Sequence, residues 1–285
     1  MKIQIDTTAG TISYGENAHT SLPLYSPAGF ELLSEIWLKQ GWALKYPYTF
    51  SWLGFPILQI PEDMVRMQEV IWRIKPDVIV ETGVAHGGSV IFYASLCRAL
   101  GHGEVIGIEK GLRCREKVEA SYLANHITLI EGDSTDPAIV ERVHKACAGR
   151  RALVILDSDH SKHHVMKELQ AYHDLVALDS YIVATDGNME DLADVPRGRA
   201  EWRWNNPKEA IRMFACSHSD FVIEQPVWPF NESTLQNNVT YWPSAWLKRV
   251  KISSGAGDKA LTVSGAPLDL ATAGTHQRET TENRP

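Results

Sequence analysis

An α/β fold, Rossmann-like and doubly wound around a mostly parallel sheet, is the class this sequence predicts, and three observations predict it. Five short β-branched runs alternate with segments of helical composition between about residues 76 and 250: Val78–Glu81, Glu104–Glu109, Thr128–Glu131, Leu153–Asp157 and Tyr181–Thr185. The runs are continuously apolar rather than alternating, which is how strands covered on both faces read. They also close on acidic residues: Glu81, Glu109, Glu131, Asp157 and, just past the fifth run, Asp186. In an open α/β sheet ligands bind beyond the carboxyl ends of the strands, so such a row of polar ends belongs to one crevice.

The remaining elements follow in order. Residues 1–75 form an N-terminal extension, irregular at first and then rich in aromatics (Trp37, Trp42, Tyr46, Tyr48, Phe50, Trp52, Phe55). Helices are expected near 27–40 and 61–74, the second opened by Pro61, Glu62 and Asp63, which suit a first turn. The rings serve either as a packing layer or as a lid over a cleft. Phe221–Glu224 and Trp246–Ile252 complete the sheet of the 76–252 domain as a hairpin-like pair. From Ser253 to Pro285 the composition turns to Gly, Ala, Ser, Thr and scattered charge without periodicity, the signature of a disordered tail.

Composition narrows the function classes. With 285 residues, 44% apolar and 22% charged, there is ample material for a core. No run reaches the roughly 20 apolar residues of a membrane helix. The net charge of −7 argues against a nucleic-acid groove. The start, MKIQIDTTAG, lacks the layout of a secretory leader, and the four cysteines form no CxxC pair, so a cytoplasmic protein with reduced thiols is expected.

The chemistry-bearing segments lie at the strand ends. Glu81-Thr82-Gly83-Val84-Ala85-His86-Gly87-Gly88-Ser89 leaves a strand and opens a helix; Gly83 permits a tight turn, and Gly87 and Gly88 admit a ligand close to the helix N-terminus. It is not the G-x-G-x-x-G of a dinucleotide site. An acid ahead of the first glycine repels a diphosphate and suits a cationic amino-acid group. S-adenosylmethionine carries one. Glu109 is placed to accept ribose hydroxyls, and Asp133 and Ser134 to flank an adenine. Asp157 and Asp186, on neighbouring strands about 4.8 Å apart, form a hard oxygen site suited to Mg²⁺, completed by Asn188, Asp159 or water. His160 faces the crevice as a general base, with Lys162 in reserve; His163 and His164 are expected on a solvated first turn of the next helix.

At these residues a resemblance enters. PDVIVETGVAHGGSVIFYASL, VIGIEK, ITLIEGDSTD, LVILDSDHSKHHVMKEL, YIVATDGNMED and YWPSAWLKRV make the run from about Trp52 to Val250 similar to the cephalosporin hydroxylase/rhamnosyl O-methyltransferase family, a metal-dependent branch of the class I methyltransferases. The resemblance implies S-adenosylmethionine and Mg²⁺ as cofactors, an oxygen nucleophile on a sugar or other natural-product scaffold, and a homo-oligomer. By position, Glu81, Gly83 and Gly87–Ser89 match the methionine-end loop, Glu109 the ribose acid, Asp133 and Ser134 the adenine side, Asp157 and Asp186 metal ligands, and His160 the catalytic base. Asp157 is also placed against the cofactor. One departure stands out: the family often has Glu before the second metal ligand, where this chain has Thr185, a far weaker ligand for Mg²⁺. Hence the alternative of a catalytically inactive S-adenosylmethionine-binding regulatory protein. An iron-dependent hydroxylase would need two histidines and a carboxylate, and would leave the glycine loop and strand-end acids without a role. The Arg197–Asn206 loop (RGRAEWRWNN) and the aromatic extension are the expected specificity elements.

Overall fold

The computed structural model describes residues 2–16 and 20–251, which belong to one compact unit. The expected tail at 253–285 lies outside the described residues.

The first segment departs from expectation. Residues read as irregular form an antiparallel meander of β1 (Lys2–Asp6), β2 (Thr11–Gly15) and β3 (Thr20–Pro23). Cross-strand pairs Ile5–Ile12 and Ile3–Tyr14 supply its apolar contacts. Asp6 Oδ1 accepts from the amides of Thr8 (2.9 Å) and Ala9 (2.8 Å) to close the first turn.

Helix α1 (Pro27–Ala43) starts at Ser26, whose hydroxyl accepts from Gly29 N at 3.1 Å. The two-residue strands β4 (Ser51–Trp52) and β5 (Phe55–Pro56) form a small hairpin before α2 (Pro61–Ile74). Then the alternation begins: β6 (Val78–Thr82), α3 (Gly88–Leu100), β7 (Glu104–Glu109), α4 (Arg115–Glu119), β8 (Ile127–Glu131), α5 (Pro137–Cys147), β9 (Ala152–Leu156), α6 (Lys162–Tyr172), β10 (Tyr181–Ala184), α7 (Pro207–Ser217), β11 (Phe221–Ile223) and β12 (Trp246–Arg249).

The seven-stranded sheet has the order β11-β12-β10-β9-β6-β7-β8. All neighbours from β10 to β8 pair in parallel. β12 runs antiparallel between β10 and β11, so the two last strands do pair, with β12 inserted on the inner side. Every residue of β6, β9 and β10 is buried, which explains their apolar character up to the polar end of β6 at Glu81 and Thr82. Alternate residues feed two cores. Ile79, Val105, Leu153, Ile155 and Val183 meet α2 and α3 on one face; Val80, Ile106, Val154, Leu156 and Ile182 meet α5, α6 and α7 on the other. Phe55, Ile57, Ile60 and Met64 share the first core, which builds the end of the N-terminal extension into the same domain.

The sequence order reverses direction between β6 and β9, and such a switch point opens a crevice beyond the carboxyl ends of its strands. All four thiols are free; Cys97, Cys114 and Cys147 are buried and Cys216 is exposed.

Phe214 on α7 is fully buried and stacks on His218 at 3.8 Å. Phe214→Ala should lower the unfolding free energy by about 3–5 kcal/mol in urea titrations. A loss under about 1 kcal/mol would show that this layer does not carry the second core.

Candidate functional site

The chain leaves β6 through Gly83 at φ +83, where any Cβ would stand 2.1 Å from the carbonyl oxygen of Asp157. Only glycine lets the turn after β6 press against the end of β9 in this way. Gly87 and Gly88 are also crowded, but by protein. A Cβ on Gly87 would meet Val118 Cγ2 at 2.8 Å and one on Gly88 the carbonyl oxygen of Pro56 at 2.1 Å. Their small size therefore serves loop packing, and Gly88 also lines an inner cavity at the strand ends.

Two cavities of about 250 and 290 Å³ lie at the strand ends and share Gly83, Ala85, Asp157 and Ser158. The inner one is walled by Gln59, Ser89, His160, Asp186 and Tyr241, with Trp42 and Tyr48 from the extension. The outer one is lined by Glu109, Lys110, Gly132, Ser134, Asp159 and His164.

Glu81 is fully buried beneath the loop. Its Oε2 accepts from Ser89 Oγ at 2.8 Å, and its Oε1 has no partner. Burial, with Asp157 and then Glu109 nearby, pushes it well above the ordinary carboxylate range. Glu109 Oε2 accepts from the amides of Val84 (3.0 Å) and Ala85 (3.1 Å), so this acid organises the loop as well as facing the outer cavity. Asp133, expected at an adenine, forms the turn beside the outer cavity. Its Oδ1 accepts from Thr135 N and Oγ1, each at 2.8 Å, and its Oδ2 pairs with Lys110 at 3.0 Å. Those bonds, the Thr135 amide first, lower its pKa to about 2. Its neighbours Gly132 and Ser134 are the ones that line the cavity.

The reading of the strand ends missed Glu168. It is fully buried on α6, and its Oε1 accepts from Ser134 Oγ (2.5 Å) and Ser158 Oγ (2.7 Å), with His164 Nε2 at 3.3 Å. His164 was expected on a solvated turn. Its side chain is only 14% exposed, and the hydrogen bond to Glu168 raises its pKa. The signal was available: Glu168 sits in the apolar stripe of Val165, Leu169 and Tyr172, four residues after a histidine. His163 is exposed, as expected.

Asp157 follows β9, its amide donating to Thr82 O at 2.9 Å. Thr185 Oγ1 donates to Asp157 Oδ1 and to Leu156 O (3.1 Å). Thr185 is thus an orienting partner of the carboxylate. Asp186 adopts the left-handed conformation (φ +55), and its Oδ2 lies 3.5 Å from His160 Nε2. Asp157, His160 and Asp186 offer ligand atoms all within 4.8 Å of one another. Two carboxylates and an imidazole make a donor set that fits a divalent cation. Asn188 lines a neighbouring pocket with Glu35, Lys39 and Asp191, and Asp159 Oδ1 accepts from Ser161 N at 2.8 Å. Lys162 opens α6, its amide donating to Asn205 Oδ1 at 2.8 Å.

At the mouth, the Arg197 guanidinium lies 4.5 Å over the Trp42 ring and donates to Trp42 O at 2.8 Å, while Trp202 meets Trp42 edge-on at 5.3 Å. Arg203 pairs with Asp194, and Arg199 with Glu201. Among the described residues no helix is long and apolar enough to cross a membrane.

The parallel sheet, its switch point and the crevice beyond it define a Rossmann-like fold of the methyltransferase type. A family model described as rhamnosyl O-methyltransferase/CmcI matches residues 44–250, and the chain belongs to that family. A rhamnosyl O-methyltransferase of Mycobacterium tuberculosis is 30% identical over 152 residues, 51% of this chain and 60% of the relative, so the match spans well under the relative's whole length. One from Mycobacterium leprae is 29% identical over 169 residues, 58% of this chain and 70% of the relative. Among solved structures, CmcI in an apo form (21% identity, TM-score 0.51) and CmcI with Mg and SAM (22%, 0.50) each align over 72% of this chain and 78% of theirs, which shows the shared fold.

Burial, and next the neighbouring Asp186, pushes Asp157 up to about 7, above the ordinary aspartate value of 3.8. Folding therefore favours its protonated form. The group costs nothing below about pH 4, and its penalty grows as pH rises towards 7 and is complete above it. With a chelator present, Asp157→Asn should raise the melting temperature over wild type more at pH 8 than at pH 4. An equal shift at both values would contradict this electrostatic account.

Proposed function

We propose that this chain transfers the methyl group of S-adenosylmethionine to a hydroxyl of a sugar or other natural-product scaffold, with Mg²⁺ at Asp157 and Asp186. The observation that carries the reading is the Asp157–His160–Asp186 cluster, set against the Gly83 turn at the switch point of the sheet. The family membership and the curated rhamnosyl O-methyltransferase relatives support the reaction class and the sugar.

The donor fits the residues present. A cationic amino-acid group suits a cavity bordered by Asp157 and Ser89 and backed by Glu81, whose Oε1 is buried without a partner. Glu109, Ser134 and His164 in the outer cavity suit the nucleoside. When bound, Mg²⁺ supplies a positive charge that makes an acceptor hydroxyl more acidic, and S-adenosylmethionine supplies an already activated methyl group.

The chain's own residues do the rest. Asp157 and Asp186 hold the cation, and Thr185 fixes the rotamer of Asp157. His160 stands beside Asp186, and the free nitrogen of its neutral imidazole receives the proton of the acceptor hydroxyl as that oxygen attacks. Trp42 and Tyr48 wall the inner cavity, with Arg197 and Trp202 behind Trp42. These aromatic faces suit the C–H face of a sugar ring and exclude water. Positioning should dominate the rate, because the sulfonium needs no activation by protein.

His160→Ala should lower turnover about 10²-fold while changing S-adenosylhomocysteine affinity by less than about twofold. Transfer of labelled methyl from S-adenosylmethionine to rhamnose-bearing acceptors measures the first, and calorimetry the second. Undiminished turnover in the variant removes His160 from the reaction. In the same assay, EDTA should abolish transfer and Mg²⁺ should restore it; a rate indifferent to EDTA overturns the metal assignment. Cofactor binding without transfer to any such acceptor favours a regulatory protein that keeps the fold.

A further inference from the structure

Gln59 belongs to the N-terminal segment, two residues before α2, yet it lines the inner cavity beside Ser89 and Asp157. It is 5% exposed. Its Nε2 lies 3.5 Å from Tyr93 Oη, and its side chain also hydrogen-bonds Asp157. The amide thus turns its NH₂ towards Tyr93 and Asp157. That choice sends the carbonyl oxygen the other way, and Oε1 is buried with no partner. A buried amide oxygen left unsatisfied is costly, which points to a donor that arrives with a ligand.

Two carboxyl groups share the neighbourhood. Asp157 is in contact with Gln59, and Glu81, whose Oε1 also lacks a partner, feels Asp157 as its strongest neighbouring charge. An ammonium group carries three N–H donors and no acceptor, and so matches an unpaired carbonyl oxygen flanked by carboxyl groups.

We propose that Gln59 is a positioning residue for the methyl donor: its NH₂ steadies the Asp157 carboxylate, and its carbonyl oxygen receives an N–H of the donor's amino-acid ammonium. The assignment rests on the methyltransferase reading and deepens it. It gives the N-terminal segment a direct hand in seating the cofactor, beyond closing over the acceptor.

Two ligands separate this role from a merely structural one. S-adenosylhomocysteine carries the ammonium, whereas 5′-methylthioadenosine keeps the nucleoside and thioether without the amino-acid end. Calorimetry with the full chain should show Gln59→Leu weakening S-adenosylhomocysteine about tenfold, the usual scale for a hydrogen bond to a charged group, with methylthioadenosine affinity unchanged. Gln59→Met, closer in shape, should behave alike, and circular dichroism melts check that both variants fold. Unchanged S-adenosylhomocysteine affinity overturns the proposal, as does an equal loss for both ligands. If the wild type binds S-adenosylhomocysteine and the variants bind it equally well, only the role of Gln59 falls. If the wild type binds neither ligand, the methyltransferase reading falls with it.

Discussion

The backbone contact between Gly83 and Asp157 is the constraint on which the rest of the site depends. Parallel pairing of β6 with β9 carries on past the strands, where Asp157 N donates to Thr82 O at 2.9 Å and the missing Cβ of Gly83 leaves room for the Asp157 carbonyl. A larger residue at 83 would push the glycine turn away from the β9 end. The acids of the turn side, Glu81 and Glu109, would then part from the acids of the β9–β10 side, Asp157 and Asp186. The crevice is therefore a product of strand register, and its chemistry follows from which residues the register delivers.

The register delivers like charges. Glu81 and Asp157 are both held above the normal range for a carboxyl, mainly by burial and then by Asp157 for Glu81 and by Asp186 for Asp157. Such crowding is unfavourable for folding alone and is the arrangement expected where cations bind. A divalent ion at the Asp157–Asp186 end and an ammonium at the Glu81 end would offset it. On this account the donor and the metal bind the more readily because each relieves repulsion that the fold imposes.

Much of this was legible beforehand because buried parallel strands leave an unmistakable trace. VIV and LVIL are apolar since both faces are covered, and the acidic residues that follow them marked the crevice. The strand ends at Asp157 and Asp186 also put His160 within reach, as the cluster shows. The meander at residues 2–23 was not legible, because KIQID and TISYG are short and mostly exposed, and only Ile12 is buried among their apolar residues. The turn role of Asp133 was hidden for a different reason: an aspartate before Ser-Thr-Asp-Pro serves its own turn as readily as a ligand, and sequence does not separate the two. Gln59 was invisible because its partner Asp157 is nearly a hundred residues away, so only the tertiary fold reveals the pair.

The central claim is that one acidic crevice at the β6–β9 junction seats a cationic methyl donor beside a divalent ion. A crystal structure of the chain grown with S-adenosylhomocysteine and Mg²⁺ tests it most directly. The account predicts the amino group within hydrogen-bonding distance of the Asp157 side of the inner cavity, the adenosine in the outer cavity against Glu109, and the ion on Asp157 and Asp186. Nucleoside density in any other cavity, or an ion held elsewhere while Asp157 and Asp186 stay bare, would contradict it.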